Sequence, residues 1–143
     1  MEDIEEVVWA FFGYQTPAGG RSVQEWFDGL LAEERDEALD TLGYLQTLPL
    51  RLWGLPEYEF LGDGLSEIRF KASAANKTYR IYGFFWPPPP DKPKPGEKRH
   101  PSYSFLLGKP KKVKNDKDGV KEARRRKGLV ERKEATVHAF KFS

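Results

Sequence analysis

The chain has 143 residues, enough for one domain with a sizeable core. It contains no cysteine, which excludes disulfides, thiolate metal sites and a cysteine nucleophile and fits a reducing compartment. The net charge of +2 hides a split: residues 1–70 carry 4 Lys/Arg against 15 Asp/Glu, and residues 71–143 carry 20 against 7, which makes the C-terminal half the candidate polyanion surface.

No apolar run reaches the roughly 18 residues of a membrane span. The start MEDIEEVV is acidic where a signal peptide is basic, so a cytoplasmic location is expected. Ile4–Phe12 is β-branched and aromatic and reads as a first strand. Gly13–Gly20 supplies a Pro/Gly turn. Ser22 followed by Glu25 reads as a capping box opening a helix with Val23, Trp26, Phe27, Leu30 and Leu31 on one stripe; Gly29 weakens its interior, and a break is expected near Leu31–Glu33. A second helix is expected over Glu33–Leu48, with Ala38, Leu42 and Leu45 inward and Pro49 as its stop. Leu50–Gly64 has no clean period and reads as a packed connection with a turn at Gly62–Gly64.

The stretch from Leu65 to Lys112 organises the rest. Leu65–Phe70 alternates, with Leu65, Glu67 and Arg69 on one face and Ser66, Ile68 and Phe70 on the other. Tyr79–Trp86 puts Arg80, Tyr82, Phe84 and Trp86 on one face and Tyr79, Ile81, Gly83 and Phe85 on the other. Tyr103–Leu107 ends at Gly108, just before Lys109, Lys111 and Lys112. These three runs pair in order as an antiparallel meander. Between the second and third lies a Pro-rich hairpin insertion at 87–101, PPPPDKPKPGEKRHP, which favours polyproline II and cannot lie in a sheet.

Gly119–Lys133 reads as a basic surface helix with the Arg124–Lys127 cluster exposed, and Ala135–Phe142 as a last strand. The order β, α, α, β, β, β, α, β predicts a single α+β domain over 1–143: a small, mostly antiparallel sheet with the two N-terminal helices on one face, plus the basic C-terminal helix.

GLSEIRF, then TYRIYGFF, then LLGKPKK, then a basic helix, preceded by WFDGL and LGYLQ, resembles the RelE/HigB-like toxins, and within them the phage-derived HigB-like branch. The resemblance covers roughly Glu5–Leu129. It implies a RelE-like α+β fold and ribosome-dependent cleavage of mRNA, without cofactor or metal. It also implies a cognate antitoxin, often with a helix-turn-helix, as partner. Glu67 and Arg69 match the E-x-R strand, Arg80 the YR arginine, and Lys111 and Lys112 the paired lysines. His138 loosely matches the C-terminal histidine of the YoeB-like relatives. The Pro-rich insertion and the final ATVHAFKF depart from the family pattern.

RNA cleavage by 2′-OH attack needs a proton acceptor, charge stabilisation on the phosphate, and a proton or cation for the leaving oxygen. Glu67 is the candidate base, with Arg69 beside it keeping it ionised. Arg80 is the candidate bidentate phosphate clamp. Lys111 or Lys112 holds adjacent backbone or assists the leaving group. Tyr82 and Trp86 are candidates to stack on bases. Lys71, Lys109 and the Arg124, Arg125, Arg126 and Lys127 run complete the candidate RNA-binding set. There is no Walker-type loop and no H-E-x-x-H, and two histidines leave little for zinc. Two further readings use the same residues: a non-catalytic RNA- or protein-binding module, and a phage accessory protein that keeps the fold, with Glu67, Arg69 and Arg80 as a surface ion-pair cluster.

Overall fold

Alternating runs of aromatic, β-branched and charged residues build the sheet; acidic segments build the two N-terminal helices and a basic segment builds the third. A computed structural model describes residues 6–73, 76–88 and 100–142. Ala10–Gln15 forms β1, Ser22–Asp28 α1, Ala32–Gln46 α2, Tyr58–Gly62 β2 and Leu65–Ala72 β3. Lys77–Phe84 forms β4, Ser102–Pro110 β5, Lys117–Glu131 α3 and Thr136–Ala139 β6. Among the described residues the six strands make one sheet in the order β2-β3-β4-β5-β1-β6. β1 and β5 run parallel, and the other described pairs are antiparallel. The fold is α+β, as expected, and the meander β3-β4-β5 pairs in chain order. Most of the Pro-rich insertion, residues 89–99, lies outside the described residues.

Neighbouring residues of β4 point to opposite faces of the sheet. Tyr79 sends its hydroxyl to Glu34 of α2 and meets Trp26 of α1 edge-on, with ring centroids 6.1 Å apart. Tyr82 points the other way and donates its hydroxyl to Asp116 at the start of α3. So α1 and α2 cover one face and α3 lies against the other. The expectation of α3 as a bare surface helix is corrected: Gly119, Ala123 and Val130 are buried against the sheet. Only small and branched side chains let α3 sit this close.

Both N-terminal helices form, with different caps from those expected. Ser22 is inside α1 and does not cap it; its Oγ accepts from Arg126 at 3.0 Å. The capping contact appears instead at α2, where Glu34 accepts the Leu31 backbone N–H at 2.9 Å. α1 ends at Asp28 with Gly29 as its C-cap, earlier than the break expected near Leu31–Glu33, so Leu30 and Leu31 of the expected stripe lie outside the helix.

Two strand assignments change. The first strand starts at Ala10, because Trp9 turns away to the end of α2: its backbone N–H donates to Gln46 and its indole to Leu48, at 2.9 and 2.8 Å. Ile4 and Glu5 of the expected strand lie outside the described residues. β2 was hidden in the aperiodic connection. It is an edge strand whose Tyr58 packs on Trp53 while Phe60 stays exposed, so its alternation is too short to see without its partner β3. Trp9, Trp53, Tyr58, Phe85 and Tyr103 form an aromatic cluster around Trp53, with the two indoles 4.6 Å apart.

Candidate functional site

The register of the sheet creates the site. Antiparallel pairing sets Glu59 of β2 opposite Glu67 of β3, and Arg69 of β3 opposite Arg80 of β4. Like charges directly opposite on paired strands repel. The crossed contacts resolve this. Arg69 donates to both Glu67 and Glu59, and Arg80 Nε lies 3.7 Å from Glu67 Oε2. Arg80 continues the chain of charges to Asp116, whose Oδ2 is 3.9 Å from Nη1. Lys109 of β5 closes it, with Nζ 3.0 Å from Asp116 Oδ2. Three carboxylates thus alternate with three cations, and the cluster is neutral.

All of these groups except Lys109 line a cleft of about 480 Å³ between the β2-β3-β4 surface and the loop leading into α3. Glu67 and Arg80 are its floor; each side chain is only 3% exposed. Lys111, Lys114 and Lys117 line the cleft above them, together with Leu55, Leu61 and Val120. Lys114 and Lys117 are exposed and Lys111 is half-buried, and among the described residues none of the three makes an ion pair.

Burial works against the charge on Arg69, but Glu67 and Glu59 outweigh it and hold the guanidinium more basic than an ordinary arginine. Burial also opposes ionisation of Asp116, yet the Lys109 ammonium, the Gly119 N–H and the Tyr82 hydroxyl keep its carboxyl below the usual aspartate value. Burial pushes the Tyr82 hydroxyl up to about 12, with Arg80 opposing and Asp116 adding to the rise. Tyr82 is therefore a fixed donor at neutral pH.

The structure brings Glu67, Arg69, Arg80 and Lys111 together, on one side of the sheet. It changes the part that two of the expected residues can play. Arg80 is not placed to clamp a phosphate: Nη1 donates to Tyr82 at 2.7 Å and Nη2 to the Val113 carbonyl at 3.0 Å. The Tyr82 ring is fully buried beneath α3 and cannot stack on a base. Trp86 is half-buried and stacks on Phe84, centroids 5.7 Å apart. Lys71 is exposed on the face of Arg69 but does not line the cleft, and Lys112 is exposed just outside it.

The Arg124–Lys127 run is not an exposed cluster. Arg126 is 16% exposed; it bonds the Leu106 carbonyl at 2.8 Å and lies over the Tyr14 ring. Lys127 is also 16% exposed, paired with Glu131 and lying over Phe84. Arg124 reaches Asp63 and the Gly62 carbonyl. Arg125 is exposed and held by Glu122. The helix turns its cations inward because its other residues are too small to cover the sheet, and arginine stems supply the missing apolar contact. His138 pairs with Gly13 near the opposite edge of the sheet, away from the cleft, and burial lowers its basicity. His100 is exposed ahead of β5.

Sequence reasoning missed Glu59 and Asp116. Glu59 was hidden with β2. Asp116 had a usable signal: an aspartate three residues before Gly119 at a helix start, which is an N-cap pattern.

No family model matches the chain, and no curated protein matches it. Among the described residues no group of three His, Asp or Glu side chains is arranged to hold a metal ion. Among them, too, no helix is long and apolar enough to cross a membrane.

Proposed function

We propose that the protein is the toxin of a type II toxin–antitoxin pair and a ribosome-dependent mRNA endoribonuclease of RelE/HigB-like type. Its work then lies in the cytoplasm, and its partners are ribosome-bound mRNA and a cognate antitoxin. The observation that carries this reading is the meeting of one carboxylate, Glu67, with two guanidinium groups on the floor of a lysine-lined cleft. The ordered motifs GLSEIRF, TYRIYGFF and LLGKPKK support it, because they supply these same side chains.

The chemistry is a transesterification. Glu67 takes the proton of the 2′-OH as its oxygen bonds to phosphorus. The bond from phosphorus to the 5′-oxygen breaks, leaving a 2′,3′-cyclic phosphate and a 5′-hydroxyl. Lys111 gives the leaving oxygen its proton. Arg69 faces the charge that builds on the phosphate oxygens. Arg80 acts as a positioning residue: locked by Tyr82 and Val113, it fixes a positive charge 3.7 Å from the Glu67 carboxylate. No step requires a metal.

A second reading is a non-catalytic module that binds RNA through the same cleft. It is favoured by the burial of Glu67 and Arg80, whose charges are balanced internally. Mapping mRNA 5′ ends after a brief induction separates the two. The nuclease reading expects growth arrest and new ends within translated messages. Glu67→Gln then lowers cleavage by about 100-fold or more, the scale of a lost general base, when assayed well below its melting temperature, which the loss of a buried ion-pair partner also lowers. Salt-sensitive RNA binding with no new ends, on ribosomes and on free RNA, rejects the nuclease and leaves the module.

A further inference from the structure

The floor of the cleft is closed in this structure, and the closure has one weak member. Arg69 lies across Glu67, and its guanidinium is divided between Glu67 and Glu59. The Glu67 side chain is 3% exposed, Arg69 18% and Glu59 42%. Glu59 stands on the edge strand β2, at the open side of the cluster. An ion pair with one partner nearly half in water is weak and readily exchanged.

A second feature points to a ligand. Arg80 is 3% exposed, and its Nε has no hydrogen-bond partner among the described residues. The nearest carboxylate oxygen, Glu67 Oε2, stops 3.7 Å away. Buried N–H groups are normally paired. The gap exists because Glu67 is drawn by its other oxygen to Arg69. If Arg69 moved onto an incoming anion, Glu67 would be free to close on Arg80 Nε, and the orphan would be satisfied.

We infer that Glu59 holds, in the free protein, the place on the Arg69 guanidinium that a backbone phosphate of single-stranded RNA takes in the complex, and that this exchange uncovers Glu67. A carboxylate and a phosphodiester offer the same pair of oxygens to the guanidinium fork. Lys111, Lys114 and Lys117 supply the charge that draws the phosphate in; the floor, being neutral, does not. Glu59 thereby keeps small anions off the site and admits a strand that also engages the lysines. The inference rests on reading the cleft as an RNA site, catalytic or not.

The test is the affinity of a short 2′-O-methyl single-stranded oligoribonucleotide, which binds without being cut. Glu59→Gln is expected to tighten binding about two- to fivefold, the gain from removing one competing surface ion pair. Asp40→Asn removes the same charge from α2, across the sheet, and is expected to change it far less. In an Arg69→Gln background the Glu59→Gln gain disappears. In the unaltered protein the Arg69 Nε–H resonance shifts on adding the oligonucleotide, whereas that of Arg126 does not. Equal or weaker binding by Glu59→Gln, an equal gain from Asp40→Asn, or an unmoved Arg69 resonance overturns the exchange. Each of those results leaves the nuclease reading standing if new mRNA ends appear. A Glu59→Gln gain with no mRNA cleavage upholds the exchange and rejects the nuclease instead.

Discussion

The Asp116 carboxylate accepts the Tyr82 hydroxyl at 2.9 Å, and this bond fastens the first turn of α3 to the middle of the sheet. The same carboxylate accepts the Gly119 N–H and the Lys109 ammonium, both at 3.1 Å. One side chain thus caps a helix, balances two cations and orients the phenol that holds Arg80. Asp116→Ala is expected to cost about 2–4 kcal/mol, combining a lost cap with partners left unsatisfied. Urea unfolding measures it. A loss as small as that of an ordinary surface substitution would show that α3 docks without this bond.

Acid sensitivity follows from three carboxyls. The Tyr79 hydroxyl holds Glu34 low, Lys109 and its neighbours hold Asp116 low against burial, and Arg125 leads in holding Glu122 at about 2, from an ordinary 4.5. Each binds protons less readily folded than unfolded, so its contribution is complete above the ordinary carboxyl range and disappears as pH falls through the folded value. The melting temperature should therefore decline from about pH 4.5 toward pH 2. Asp116→Asn and Glu122→Gln should each flatten that decline. A flat profile in the unaltered protein would contradict the paired geometry.

Arg125 and Arg126 are adjacent and should behave oppositely. Arg126 bonds Leu106, Ser22 and Glu122 while covering Tyr14, so Arg126→Met is expected to cost about 2 kcal/mol. Arg125, 57% exposed, should cost less than about 0.5 kcal/mol on conversion to Gln. Denaturant midpoints distinguish them. Equal costs would mean that the run is a solvated face after all.

The cleft lysines should carry the salt dependence of RNA binding. Alanine at Lys111, Lys114 or Lys117 is expected to reduce the slope of log affinity against log salt by about 0.7 each. Alanine at Lys127 should leave the slope unchanged and lower stability instead, because that ammonium is used on Glu131 and Phe84. A slope that responds to Lys127 and not to the cleft would move the RNA path onto α3.

Gly83 lies where β4 and β5 slip register. A Cβ there would overlap the Tyr103 ring and stand 2.6 Å from the Ser104 carbonyl. Gly83→Ala is expected to destabilise by about 1–3 kcal/mol, read by thermal melting. Tolerance of alanine would mean that the strands part more easily than their packing implies.

Much of this was written in local pattern. Alternation put Glu67 with Arg69 on one face of Leu65–Phe70, and Arg80 with Tyr82 on one face of Tyr79–Trp86, because successive strand residues must point opposite ways. That these are the same face of the sheet came only from the register of β3 with β4. The α1 and α2 stripes and the weakness at Gly29 were also visible, since helix period and glycine preference act over a few residues, although α1 stops at Asp28 and not near Leu31. What a charged side chain meets was not visible, because that depends on which strand or helix lies beside it. Glu59 gained its place only when β2 paired with β3, and Asp116 only when α3 packed over Tyr82. The inward turn of Arg126 and Lys127 and the burial of Tyr82 have the same origin: packing between elements distant in sequence decides whether a cation faces water or a carbonyl, and no local period encodes that.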